Sequence, residues 1–189
     1  TCTLPLRREA FSGCALRITV GGLTGGHSGA EIDKGRANAN MLTGRVLQAA
    51  AARTELRIVS VSGGLKNNAI PVESVACVVV ADEAAARDAL AEMNDALRSE
   101  YHLPDPNLFV TVQAEEAPQP AMDAEATAKV ICMLTCLPNG IQAMSADIPG
   151  LVQTSLNLGI LTTAEEELCA VFSLRSSIDS QKEMLKRRM

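Results

Sequence analysis

The chain has 189 residues, of which 47% are hydrophobic, with no Trp, one Tyr and three Phe; at ~100–200 residues per domain this is one sizeable unit with an aliphatic, closely packed interior. Seventeen Lys and Arg against 22 Asp and Glu leave a net charge of -5, which argues against a nucleic-acid binder or a polybasic membrane surface. No apolar run reaches the ~18–20 residues of a bilayer span and no leader-like start is evident, so a cytoplasmic protein is expected.

In chain order, residues 14–21 alternate, with Leu16, Ile18 and Val20 on one face and Arg17 and Thr19 on the other, the pattern of an edge or half-covered strand. Residues 34–53 switch to a helical period through Ala39, Leu42, Val46 and Ala50, with small residues that allow close packing. Strands are expected over 55–62 and 75–81, joined by a turn containing Asn67, Asn68 and Pro71. Asp82 suits a helix cap before the apolar line of Ala86, Leu90, Met93 and Leu97. A strand resumes over 108–114, so the order is β-α-β-β-α-β. This predicts an α/β (α+β) fold, a ferredoxin-like two-layer sandwich with its helices on one sheet face.

Residues 115–123 read as a Glu- and Pro-rich connector, followed by a helix over 123–137. Segments 142–148, 153–158 and 168–174 then extend the antiparallel sheet, and a basic-ended helix closes the chain over 180–188. The expected division is a core of about 12–115 and a sheet-extending part of about 123–189 within one domain spanning 1–189. Six cysteines lack zinc-knuckle spacing and are expected as free, buried thiols. Position 1 is not Met, which suggests part of a longer polypeptide.

His27 lies among Gly21, Gly22, Gly25, Gly26 and Gly29, a loop that lets a ligand or second chain approach closely. With only His27 and His102 present, a histidine-rich metal site is impossible; a positioned imidazole can still stabilise developing negative charge, or simply be a loop histidine. His102 belongs to a surface helix end. Arg175, after an apolar run and beside Ser176, Ser177 and Asp179, is shaped either to clamp a carboxylate or to form an internal ion pair. Asn68 and Asn139 read as turn residues, and Glu165, Glu166 and Glu167 as a solvated face.

The stretches GLTGGHSGAEIDKGRANANMLTGR (22–45), NNAIPVES (67–74), PNGIQAMSADIPGLVQTSLNLG (138–159) and FSLRSSIDSQKE (172–183) resemble PepD-type aminoacyl-histidine dipeptidases of the M20 zinc metallopeptidase family, over about residues 12–184. The chain departs from the commoner pattern at Val72 and Gln153. The resemblance covers the lid or dimerisation domain alone, and the catalytic zinc domain, with its two zinc ions, is absent from this sequence. It implies that His27 is catalytic, steadying the oxyanion in an active site that is often the partner subunit's. It further implies that Arg175 binds the substrate carboxylate and that Asn68 and Asn139 support substrate binding.

The resulting expectation is the lid of a cytosolic zinc-dependent dipeptidase hydrolysing Xaa-His and other unblocked dipeptides. Homodimerisation is expected, and no cofactor within this chain. Without metal ligands the isolated chain has no activated water and should be inactive. The alternative is a stand-alone, non-catalytic ferredoxin-like module for dimerisation or small-ligand binding.

Overall fold

The computed structural model describes residues 1–116 and 120–189. The first half holds β1 (Cys2–Pro5), β2 (Arg8–Glu9), β3 (Cys14–Gly21), β4 (Gly26–His27), α1 (Ala39–Ala51), β5 (Leu56–Gly63), β6 (Ala69–Ile70), β7 (Ser74–Val80), α2 (Glu83–Glu100) and β8 (Phe109–Ala114). The second holds β9 (Ala121–Met122), α3 (Ala124–Cys136), β10 (Gly140–Met144), β11 (Val152–Thr163), β12 (Glu167–Ser176) and α4 (Asp179–Arg187). Together they form a mixed α/β domain around a multi-stranded antiparallel sheet in the order β1-β12-β11-β5-β7-β3-β8, with β10 added to β11. Two short ribbons, β2–β9 and β4–β6, stand apart from it.

Alternation in β3 puts Leu16, Ile18 and Val20 almost completely out of solvent, facing a core shared with Leu42, Val46 and Leu47 of α1, Leu90 and Leu97 of α2, and Val130 and Leu134 of α3. Burying each of these larger side chains contributes about 1.5–3 kcal/mol. The core continues through Leu158, Leu161 and Leu168, so the strands added by the second half share one interior with the first. Because β3 lies between β7 and β8, it is half-covered rather than an edge. The opposite face carries a smaller cluster of Val59, Val79 and Ala121 with Phe11, Ala15 and Cys77.

Helix starts follow their caps. Asp82 and Asp123 accept the N–H groups of Ala85 and Ala126, satisfying donors that the first turn leaves free. The expected helix from 34 begins only at Ala39, because Gly35 takes a left-handed φ of 68° after a 3-10 turn at Ile32–Lys34. Asn38 then caps α1 by accepting from Asn40 and Met41. The free edge of β8 is blunted by α2: Arg87 donates to the Val112 carbonyl at 3.3 Å and Asn94 accepts from the Val110 N–H at 2.9 Å.

The expectation of buried thiols is corrected. All six cysteines are free, but Cys14, Cys132 and Cys136 are exposed and Cys2, Cys77 and Cys169 half-buried. Cys132 and Cys136 fall on the side of α3 opposite its buried Ala126, Thr127, Val130 and Leu134, where apolar neighbours in sequence do not translate into cover. The connector expected at 115–123 contains β9, which pairs with β2; its residues 117–119 lie outside the described residues. No helix among the described residues is long and apolar enough to cross a membrane.

Candidate functional site

The loop carrying His27 is tied at its base by one side chain. Asp105, 1% exposed, accepts the Thr24 N–H at 2.7 Å with one carboxylate oxygen and the Ala37 N–H at 2.7 Å with the other. Both ends of the segment between them are thereby drawn to one point. Within it, Gly26 has φ +141°, and a Cβ there would meet the side chains of Arg36 and Glu31. A side chain is excluded on both counts.

His27 pairs with Ala69 in the β4–β6 ribbon, and the next N–H, that of Ser28, donates to the Asn68 carbonyl at 2.9 Å. The imidazole is exposed. Its Nδ1 accepts the N–H groups of Gly29 at 3.2 Å and Ala30 at 2.9 Å. A nitrogen that accepts two amides holds a lone pair, so in the neutral ring the proton resides on Nε2, which becomes the donor. The backbone N–H of His27 donates to Glu31 Oε2 at 2.8 Å, and Arg36 holds the other Glu31 oxygen at 2.9 Å. The His27 N–H first and Arg36 second keep the Glu31 carboxyl below the usual glutamate range, against a smaller opposing effect of burial.

Arg175, far off in sequence, comes to the same place. A Cβ built on Gly29 would lie 3.0 Å from Arg175 Cζ and Nε and 3.0 Å from His27 Cε1. The guanidinium and imidazole thus flank one glycine, and only its missing side chain leaves room for both. Arg175 is exposed on β12, and among the described residues no carboxylate forms an ion pair with it. The internal bridge to Asp179 weighed from sequence is not formed. Register places Arg175 opposite Ser155 and Ser173 opposite Asn157, so these polar side chains share one sheet face.

Asn68 is exposed in the turn before β6, where its carbonyl anchors the residue after His27. Asn139 does different work: its Oδ1 accepts the Leu158 N–H at 2.9 Å and the Asn38 amide at 3.4 Å. Asn38 also donates to Asn157 Oδ1 at 3.1 Å, and Asn157, 1% exposed, donates to the carbonyls of Asn67 at 3.2 Å and Ala69 at 2.8 Å. A buried chain of amides therefore runs from the start of α1 through β11 to the turn holding the His27 strand.

Asp105, Glu31, Arg36 and Asn157 were not singled out from sequence, and Gly29 was read only as one of several loop glycines. Glu31 alone left a local signal, an acid four residues after a loop histidine. An apolar hollow of about 800 Å³ opens beside the ribbon, lined in part by Gly26, Ile70, Pro71, Val72 and Leu161. Neither His27 nor Arg175 lines it. His102 is exposed after α2, its Nδ1 2.8 Å from the Ser99 carbonyl oxygen.

An exposed imidazole and a guanidinium that has no ion-pair partner among the described residues thus meet at one point on the antiparallel sheet. Residues 18–105 match the peptidase dimerisation domain, and the chain carries a domain of that class. Over nearly its whole length it is homologous to aminoacylhistidine dipeptidases. The crystal structure of aminoacylhistidine dipeptidase from Vibrio alginolyticus superposes with a TM-score of 0.93 at 31% identity, covering 98% of this chain and 39% of that one. The cytosol non-specific dipeptidase of Escherichia coli (strain K12) is 34% identical over 189 residues, 97% of this chain and 39% of the relative. The chain thus spans about two fifths of the length of each, 39%.

Among the described residues no group of three or more His, Cys, Asp or Glu is placed to hold a metal ion.

Proposed function

We propose that this chain is the lid and dimerisation part of a cytosolic zinc-dependent dipeptidase that cleaves Xaa-His and other unblocked dipeptides. The zinc pair and its ligands would lie in a part of the protein outside this chain, and the chain alone would turn over nothing. The observation that carries the reading is the convergence of His27 and Arg175 around Gly29. A neutral imidazole donating through Nε2 suits the oxyanion formed at the scissile carbonyl. A guanidinium with no carboxylate of its own suits the free C-terminal carboxylate of a dipeptide. Asn68 and Asn139 would support substrate binding, Asn68 from the ribbon turn and Asn139 through the amide chain that positions it.

The reading extends to architecture. The central strands β3, β5, β7 and β8, with α1 and α2 between them in sequence and the spatial order β5-β7-β3-β8, support a ferredoxin-like core of about 12–115, to which residues of about 123–189 add further strands. A homodimer is the expected assembly, as the domain class indicates.

Carboxylate recognition is tested by Arg175→Met in the full-length protein. For an unblocked Xaa-His dipeptide, KM is expected to rise by roughly 10- to 100-fold, the worth of a charge-assisted bond. For the C-terminally amidated analogue it should hardly change. Failure of the wild-type protein to release histidine from any such dipeptide would sink the reading.

Gly29→Ala offers a sharper test of the convergence. The backbone at Gly29 is open to any residue and the contacts are flexible side-chain ends, so stability should change by less than about 1 kcal/mol. The added methyl nevertheless pushes both functional groups by a few tenths of an ångström; a misplacement of about 1 Å costs roughly 10²-fold in turnover, so a fall of about 3- to 10-fold is expected here. Wild-type rates in this variant would show that the two side chains do not act together.

A further inference from the structure

On the outer side of α3, Cys132 and Cys136 stand one helical turn apart, both exposed, with their sulfurs 3.9 Å from each other. The other four cysteines are on strands β1, β3, β7 and β12, and the thiol of Cys77 is engaged by Glu115 at 3.0 Å. The i,i+4 pair is thus a dithiol presented by a regular element. The opposite side of α3 is fixed in the core by Ala126, Val130 and Leu134, so the scaffold that sets the sulfur spacing is rigid.

The spacing excludes one chemistry and favours another. Residues four apart on a helix hold their Cβ atoms about 5–6 Å apart, whereas a disulfide needs about 3.5–4.5 Å. The intact helix cannot close an S–S bond without distortion. A single atom bonded to both sulfurs spans the gap. The Cys132 thiol is raised above its usual range, chiefly by its hydrogen bond to Cys136 and by the neighbouring charge that a second thiolate would carry.

We propose that Cys132 and Cys136 form a dithiol site for a thiophilic trivalent metalloid, arsenic in its organic or inorganic oxide forms. With phenylarsine oxide, two S–H bonds break and two As–S bonds form, and the arsenic-bound oxygen leaves with both protons as one water. Arsenic stays trivalent, so neither oxidant nor reductant is required. The product is a ring closed along one helical turn, which staples two successive turns of α3 to each other.

The test uses the full-length protein reduced with a phosphine, titrated with phenylarsine oxide and followed by intact mass spectrometry and peptide mapping. One phenylarsenic group per chain is expected at Cys132 and Cys136, resistant to a monothiol and removed by 1,2-ethanedithiol. Cys132→Ala and Cys136→Ala, at exposed helix positions where alanine is well tolerated, should each weaken binding about 100-fold through loss of the chelate. Undiminished binding in either variant, or arsenic mapped to the strand cysteines, would overturn the assignment.

Discussion

Replacing His27 by alanine in the full-length protein should lower kcat for an Xaa-His dipeptide by about 10²–10³-fold, the usual cost of deleting one oxyanion donor. KM and the urea midpoint should stay near wild type. The ring is exposed, and its hydrogen bonds reach only the N–H groups of Gly29 and Ala30 in its own loop, which water can satisfy once the ring is gone. The effect should therefore fall on the chemical step alone. His27→Gln, which keeps a terminal N–H donor, should recover part of the rate, and His27→Phe, which fills the space without a donor, should not. Steady-state kinetics on the three variants beside urea denaturation decides the matter. Wild-type kcat in a folded His27→Ala protein would remove the imidazole from the mechanism.

The long-range ties of the His27 loop, from Ser28 to Asn68 and from Thr24 and Ala37 to Asp105, are contacts that no local pattern announces. The strand at 14–21, the helix cap at Asp82 and the sheet-extending segments of the second half were legible, because alternation, cap chemistry and helical period are written within a few residues. The ribbons β2–β9 and β4–β6 were not. Each of their strands is two residues long, too short to show a period, and each is defined by a partner remote in sequence. The late start of α1 was missed for a related reason: the apolar period begins at Ala39, and nothing periodic in residues 34–38 marks the left-handed Gly35 and the cap at Asn38 that set the boundary.

The site divides along the same line. His27 and Arg175 have side chains whose chemistry is suggestive in any context, and the motifs around them resembled a family. Their meeting at Gly29 requires β12 to lie beside β11 and the glycine loop to fold over that face, a tertiary fact. Asn157 and Asp105 look like ordinary strand and turn residues; what sets them apart is burial together with bonds to backbone groups of distant segments.

Asp105 should accordingly carry the largest stability effect. Its two oxygens take the N–H groups of Thr24 and Ala37 at 2.7 Å each, and the residue is 1% exposed, so water cannot substitute for it. Asp105→Asn keeps the shape but turns one acceptor into an N–H donor facing another N–H. The lost charge-assisted bond and the stranded amide together should cost about 3 kcal/mol, a large share of the ~5–15 kcal/mol that holds a domain folded. The measurement is urea denaturation, where the midpoint should fall with an unchanged slope. The same substitution loosens both ends of the segment that presents His27, so turnover of the full-length protein should drop even under conditions where the variant remains folded. A variant as stable and as active as wild type would mean that the His27 loop is held by its ribbon to β6 and by the Glu31–Arg36 pair, with Asp105 contributing nothing essential.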